Sequence, residues 1–182
     1  PKQPQTIVAV TGTNGKSSIV NLLRQIWEFA GVPAASLGTL GLTLSSNAVL
    51  KTDVSIPSLT SLGPLDFHKT LTALKESNID HLAIEASSHG LDQYRIHGAH
   101  IKAGAFTNLT HDHLEYHQTM ENYLDAKAKL FKEVLPPKSA AVINADSSSF
   151  EKIKEACKLN DHSIISYSIK QKADFYAANI RP

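Results

Sequence analysis

In the run VTGTNGKSS, Gly12, Gly15, Lys16 and Ser17 have the types and spacing of a loop that grips phosphate. Glycine lets the backbone of Gly12, Thr13, Asn14 and Gly15 turn its N–H groups toward one point, and a helix starting there adds the positive end of its dipole. Lys16 is placed to neutralise β- and γ-phosphates. The Ser17 hydroxyl falls at the magnesium-ligating position, and Ser18 closes the stretch. The strict pattern G-x-x-x-x-G-K-[ST] asks for glycine at position 10, but this chain has Val10 there and uses Gly12 instead. An ordinary glycine turn leading into a helix would use the same residues, so the surrounding elements must decide.

Glu85 ends the apolar run HLAIE, and the carboxyl edge of a sheet is where ligands of open α/β folds gather. A carboxylate there suits magnesium, or the capping of the next turn. The segment FTNLTHDHLEYH packs Asn108, His111, Asp112, His113, Glu115 and His117 into ten residues after another β-like run. Such a set fits zinc; magnesium takes an imidazole only beside oxygen ligands; a solvated polar loop is the third reading. Further on, Met120, Tyr123, Leu124, Leu130, Phe131 and Val134 form an apolar helical stripe whose middle member is Lys127. A lysine on a buried face must be paired, neutralised or chemically changed, unless it snorkels to solvent. Lys129 falls on roughly the opposite side, with Asp125 and Lys132, and reads as surface charge.

Positioning these groups requires strand, turn and helix in that order. Thr6 to Thr11 reads as a buried strand that runs into the glycine loop and then a helix from about Lys16 to Ala30. Ile19, Leu22, Leu23, Ile26, Phe29 and Ala30 give that helix an apolar stripe, and Gly31 with Pro33 stops it. Residues 36 to 63, rich in Gly, Ser and Thr, read as loops with a hairpin. A helix near Pro64 to Ser77 and strands near His81 to Ala86 and Ala103 to Thr107 follow. A helix near Thr119 to Val134, a strand at Ala140 to Asn144, a helix at Ser148 to Leu159 and a strand at Ser163 to Ser168 complete the alternation. The fold class is therefore α/β, a mostly parallel sheet flanked by helices.

Length and composition agree with a single small-molecule-binding unit over residues 1–182. Of these residues 42% are hydrophobic and 19% charged, enough for one core, and 18 Lys and Arg against 17 Asp and Glu leave a net charge of +1. No basic run points to nucleic acid and no apolar run of membrane length is present, so small-molecule partners and a cytoplasmic monomer are expected. The single cysteine, Cys157, excludes an internal disulfide and a multi-cysteine zinc site. Its helical spacing with Phe150 and Ile153 favours packing over catalysis. The chain opens on Pro1, from which removal of an upstream segment is expected.

TGTNGKSS and the stretch EASSHGLDQYRIHGAHIKAGAFTNLTHDHLEYHQTMENYLDAKAKLF resemble the Mur ligases of peptidoglycan synthesis, specifically the MurE type. The likeness runs from the loop near Thr11 to Phe131 and is most specific over SSHGLDQYR and Asn108 to His117. That family shares the variant loop spacing seen here. The resemblance implies a central ATP-binding domain, with amino-terminal and carboxyl-terminal domains lying elsewhere and turnover expected to need them. It implies addition of the third amino acid to UDP-N-acetylmuramoyl-L-alanyl-D-glutamate through an acyl phosphate, with ATP and Mg2+.

Carried over by position, Glu85 and His113 resemble the family's magnesium ligands, and Lys127 the lysine it carbamylates. Ser87, Gln93 and Arg95 resemble residues that hold the nucleotide-sugar peptide. The family's threonine pair falls on Thr60 and Ser61, within the departing sequence LTSLGP. Two other classes share parts of this pattern. One is a folylpolyglutamate or cyanophycin type of ligase, against which SSHGLDQYR argues; the other is a non-catalytic nucleotide-binding module, against which Glu85, His113 and Lys127 together argue.

Overall fold

The computed structural model describes residues 2–51 and 62–180. Thr60 and Ser61 lie outside the described residues. Eight strands form one sheet in the order β3-β2-β4-β1-β5-β6-β7-β8. They are β1 (Thr6–Thr11), β2 (Ala34–Gly38), β3 (Gly41–Leu44), β4 (His81–Glu85), β5 (Ala103–Phe106), β6 (Ala140–Asn144), β7 (Ser163–Ser168) and β8 (Phe175–Tyr176). All pairings are parallel except β2 with β3, which form the hairpin expected after residue 36. The chain leaves β1 to pair on one side with β4 and on the other with β5. A crevice therefore opens outside the carboxyl ends of these three strands, the usual ligand position of such sheets.

Helices cover both faces: α1 (Lys16–Phe29), α2 (Pro64–Glu76), α3 (Ser88–Asp92), α4 (Leu114–His117), α5 (Met120–Lys129) and α6 (Phe150–Lys158). Period-two alternation divides the strands between two cores. Ile7, Ala9, Leu82, Ile84 and Phe106 face the large core with Phe67, Leu71, Leu124, Phe131 and Ile153. Val10, Ala83 and Ala105 face a smaller one beneath α1. Cys157 is fully buried in the large core, and burial pushes its thiol up to about 12, which fits packing and not nucleophilic use.

Two sequence expectations are corrected. In α1 the residues turned to the sheet are Ile19, Val20, Leu23 and Trp27, whereas Leu22, Ile26 and Phe29 are exposed, Phe29 at 96%. Two apolar stripes overlap in this helix, and its departure from the loop at Gly15 fixes which of them faces inward. The helix expected over Thr119 to Val134 is α5 followed by a π-helical turn, Leu130–Val134, whose wider winding keeps Leu130, Phe131 and Val134 all buried. Helices α3 and α4 and strand β8 carry too few residues to show periodicity. Among the described residues no helix is long and apolar enough to cross a membrane.

Candidate active site

The glycine loop is held open from below by the segment after β5. Gly12 adopts φ +143°, and a Cβ there would lie 1.8 Å from Thr107 Oγ1 and 3.0 Å from the Asn108 nitrogen. The Thr107 hydroxyl donates to the Asn14 carbonyl at 2.7 Å, Thr13 N donates to Asn108 O at 2.9 Å, and Asn14 N donates to Asn108 Oδ1 at 2.9 Å. Gly15 then starts α1 in the left-handed region, φ 87°, with no side-chain cap, so first-turn N–H groups beside Ser17 and Ser18 remain available to an anion. This arrangement requires glycine at positions 12 and 15, which is why the loop tolerates Val10 within β1.

Two lysines converge on one carbonyl at the loop. Lys16 Nζ donates to Gly12 O at 2.9 Å and Thr13 O at 2.8 Å, and Lys127 Nζ donates to the same Gly12 O at 2.9 Å. Lys127 is 1% exposed and its ammonium lies 4.3 Å from the Tyr123 ring centroid, so the apolar stripe does carry it inward. Burial, reinforced by the Lys16 charge and opposed by Asp112, brings its pKa down to about 7. Burial also lowers that of Lys16, against the pull of Glu85 and Asp112.

Glu85 is 5% exposed at the end of β4. Its carboxylate accepts from Thr39 N at 2.9 Å and from the Thr39 hydroxyl at 3.3 Å. Gly38 makes room for it, since a Cβ at that position would stand 2.0 Å from Glu85 Oε1. A buried carboxylate held by neutral donors, close enough to Lys16 to perturb it, fits a hard divalent cation beside a phosphate. Glu85 and the Ser17 hydroxyl are the oxygen donors suited to magnesium.

His113 sits in the left-handed region, φ 52°, as the residue before α4. Its ring lies 3.5 Å from both Asp112 Oδ2 and Glu115 Oε1 and meets His89 and Tyr123 edge-on at 5.1 and 6.0 Å. His117 is buried, bonds the Ser88 hydroxyl at 2.9 Å and stacks on Tyr123. Desolvation, with neighbouring His113 or His89 next, holds both His89 and His117 below the ordinary imidazole value. Among the described residues no group of three or more His, Cys, Asp or Glu converges to hold a metal, so the zinc reading of this segment gains no support.

Of the remaining expected residues, Ser87 caps α3 by accepting from Gly90 N at 2.9 Å. Gln93 and Arg95 meet just beyond that helix, the Gln93 carbonyl oxygen accepting from Arg95 Nε at 2.9 Å and Nη2 at 2.5 Å. Lys129 is corrected: it is not plain surface charge but donates to Asp92 Oδ1 at 2.7 Å and lies over the Tyr94 ring. Helix α3 supplies Asp92 and the turn after it supplies Tyr94, and an element of five residues gave no signal of its presence in the sequence. Thr39, Thr107 and Tyr116, which hold the site together, went unnoticed, and Tyr123 reads in the sequence only as an apolar-stripe residue, because their partners are distant in the chain.

Sheet order, loop and the converging lysines together define a mostly parallel α/β domain of the kind that binds nucleotide phosphates. Residues 10–182 match the Mur ligase middle domain, and the chain belongs to the Mur ligase family. It is 47% identical over 158 residues to the UDP-N-acetylmuramoyl-L-alanyl-D-glutamate--2,6-diaminopimelate ligase of Bradyrhizobium diazoefficiens, covering 87% of this chain and 31% of that protein. Against the ligase of the same name from Rickettsia conorii the identity is 43% over 174 residues, 96% of this chain and 36% of the relative. A solved structure of a ligase bearing that name superposes with TM-score 0.84 at 34% identity, over 97% of this chain and 35% of that one. MurF from Acinetobacter baumannii, at TM-score 0.69 and 19% identity, shares the fold. The chain spans about a third of the length of these relatives.

Proposed function

We propose that residues 1–182 act as the ATP-binding middle domain of a ligase that adds diaminopimelate to UDP-N-acetylmuramoyl-L-alanyl-D-glutamate. The observation that carries this is the convergence of Lys16 and Lys127 on the Gly12 carbonyl, in a loop that leads directly into the uncapped first turn of α1. The relatives' names supply both substrates. On this reading the D-glutamyl carboxylate attacks the γ-phosphorus and ADP leaves. The amino group of the incoming residue then attacks the acyl carbon, and phosphate leaves as the amide forms.

The residues divide that work. Lys16 and the uncapped N–H groups of the first turn of α1 offset the charge spread over the transferring phosphoryl oxygens. Ser17, Glu85 and His113 would hold magnesium, which would supply further charge neutralisation. Gln93, Arg95 and Ser87, with Thr60 and Ser61, would bind and align the acid substrate. Lys127, neutral for much of its time near pH 7, is suited to attack carbon dioxide and lose a proton, which would turn a costly buried cation into a carbamate anion. Flanking amino-terminal and carboxyl-terminal domains belong to this reading, as does a cytoplasmic monomer acting on small molecules.

The test is calorimetric titration of Mg-ADP into the chain and into Lys16→Ala. The variant should bind at least tenfold more weakly, about 1.4 kcal/mol or more. Equal affinities would remove Lys16 from the phosphate site and leave an ordinary glycine turn.

A further inference from the structure

We propose that Tyr116, Asp92 and Lys129 are positioning residues that set the orientation of the Gln93 amide and, through it, of the Arg95 guanidinium. The inference rests on the reading above, in which Gln93 and Arg95 hold the acid substrate. It adds three residues that act through Gln93 and Arg95.

The argument follows the protons. Lys129, from α5, donates to Asp92 Oδ1 at 2.7 Å, and Asp92 Oδ2 accepts the Tyr116 hydroxyl at 2.9 Å. A phenol has one proton, and this one is committed to a carboxylate that Lys129 keeps charged. The Tyr116 oxygen can therefore only accept from its other neighbour, and Gln93 Nε2 donates to it at 3.2 Å. An amide that turns its NH2 group toward Tyr116 must turn its carbonyl the other way. There it accepts from both Nε and Nη2 of Arg95. Reversing the amide would set its NH2 against the guanidinium, donor against donor, so Asp92 fixes the direction of every bond in the relay.

The charged pair reinforces this direction, against the opposing effect of partial burial. The Lys129 bond is the first cause holding Asp92 below the usual carboxylate range, and the Asp92 bond is the first cause raising Lys129. The Lys129 ammonium also lies 4.9 Å from the Tyr94 ring centroid, between Gln93 and Arg95 in sequence. Lys127 and Lys129 leave the same helix in opposite directions, one to the phosphate loop and one to this relay. Helix α5 thus ties the geometry of the two halves of the site together.

Preorganisation of this kind enters affinity as the fraction of molecules already competent to bind. Losing one hydrogen bond of ordinary net strength lowers that fraction about three- to tenfold. The test uses the 182-residue chain labelled with 15N, in wild type, Tyr116→Phe, Asp92→Asn, Lys129→Met, Lys129→Arg and Arg95→Ala. The first readout is the Arg95 Nε–H resonance, assigned by its absence from Arg95→Ala. It should be sharp and slow to exchange in wild type, lost to exchange in Tyr116→Phe and Asp92→Asn, and regained in Lys129→Arg relative to Lys129→Met.

The second readout is titration with UDP-N-acetylmuramoyl-L-alanyl-D-glutamate. Affinity should fall about three- to tenfold in Tyr116→Phe and further in Arg95→Ala, with Mg-ADP affinity unchanged in both. A wild-type Nε–H resonance in Tyr116→Phe overturns the relay whatever the affinities. Wild-type substrate affinity in Tyr116→Phe, with Arg95→Ala weakened, overturns its positioning role. Wild-type affinity in Arg95→Ala instead overturns the substrate reading on which the inference rests. Tyr116 is 38% exposed, so its hydroxyl can be removed without opening the core.

Discussion

Replacing Lys127 by methionine should stabilise the chain at neutral pH, and by an amount that declines as pH rises. Methionine keeps most of the stem's volume and removes a cation from a site 1% exposed. The folded pKa of about 7 lies below the ordinary 10.5. Between these values the unfolded chain holds a proton that the folded chain has released, so the lysine's contribution to stability increases with pH through this window. Below about pH 7 both states are protonated and the penalty is fully present. Relative to pH above 10.5 it amounts to about 5 kcal/mol, at about 1.4 kcal/mol per pH unit.

The assay is urea unfolding of both proteins in carbon-dioxide-free buffer at intervals from about pH 6.5 to 9.5. Groups common to the two proteins cancel in the difference. The advantage of Lys127→Met should be flat at the acid end and shrink by about 1.4 kcal/mol per pH unit above pH 7.5. The Lys16 charge contributes to the low value, so in a Lys16→Met background the decline should begin at higher pH. A pH-independent difference between the proteins would refute the reasoning, because Lys127 would then titrate as it does in the unfolded chain.

Two further outcomes follow from the same geometry. Gly38→Ala places a methyl group on the Glu85 carboxylate, whose side chain can swing aside. The fold should survive, with melting temperature lowered by a few degrees at most, while the magnesium-dependent part of ADP affinity falls about tenfold; unchanged magnesium dependence would separate Glu85 from the cation. The Cys157 thiol, buried and pushed up to about 12, should react with a disulfide reagent at pH 8 only at the rate of unfolding, and immediately in denaturant. Rapid native labelling would contradict its placement in the core.

What the sequence determined by itself is what is written in contiguous residues. Strand, glycine loop and helix are adjacent from Thr6 to Phe29, and apolar alternation of long elements gives a parallel α/β sheet with α2, β4, β5, β6, α6 and β7 nearly in place. Helical period alone placed Lys127 within an apolar stripe, and the fold decided that it is buried there and does not snorkel to solvent. Relations between elements were decided only by tertiary structure. Which of two overlapping stripes in α1 meets the sheet depends on how the helix leaves Gly15. That Lys127 and Lys16 share the Gly12 carbonyl depends on a contact across 115 residues. Lys129 looked like surface charge because its partner, Asp92, lies 37 residues away on a helix of one turn. Periodicity records which side of an element is apolar; it carries no record of which polar group on another element stands opposite, and the candidate site is built from such pairs.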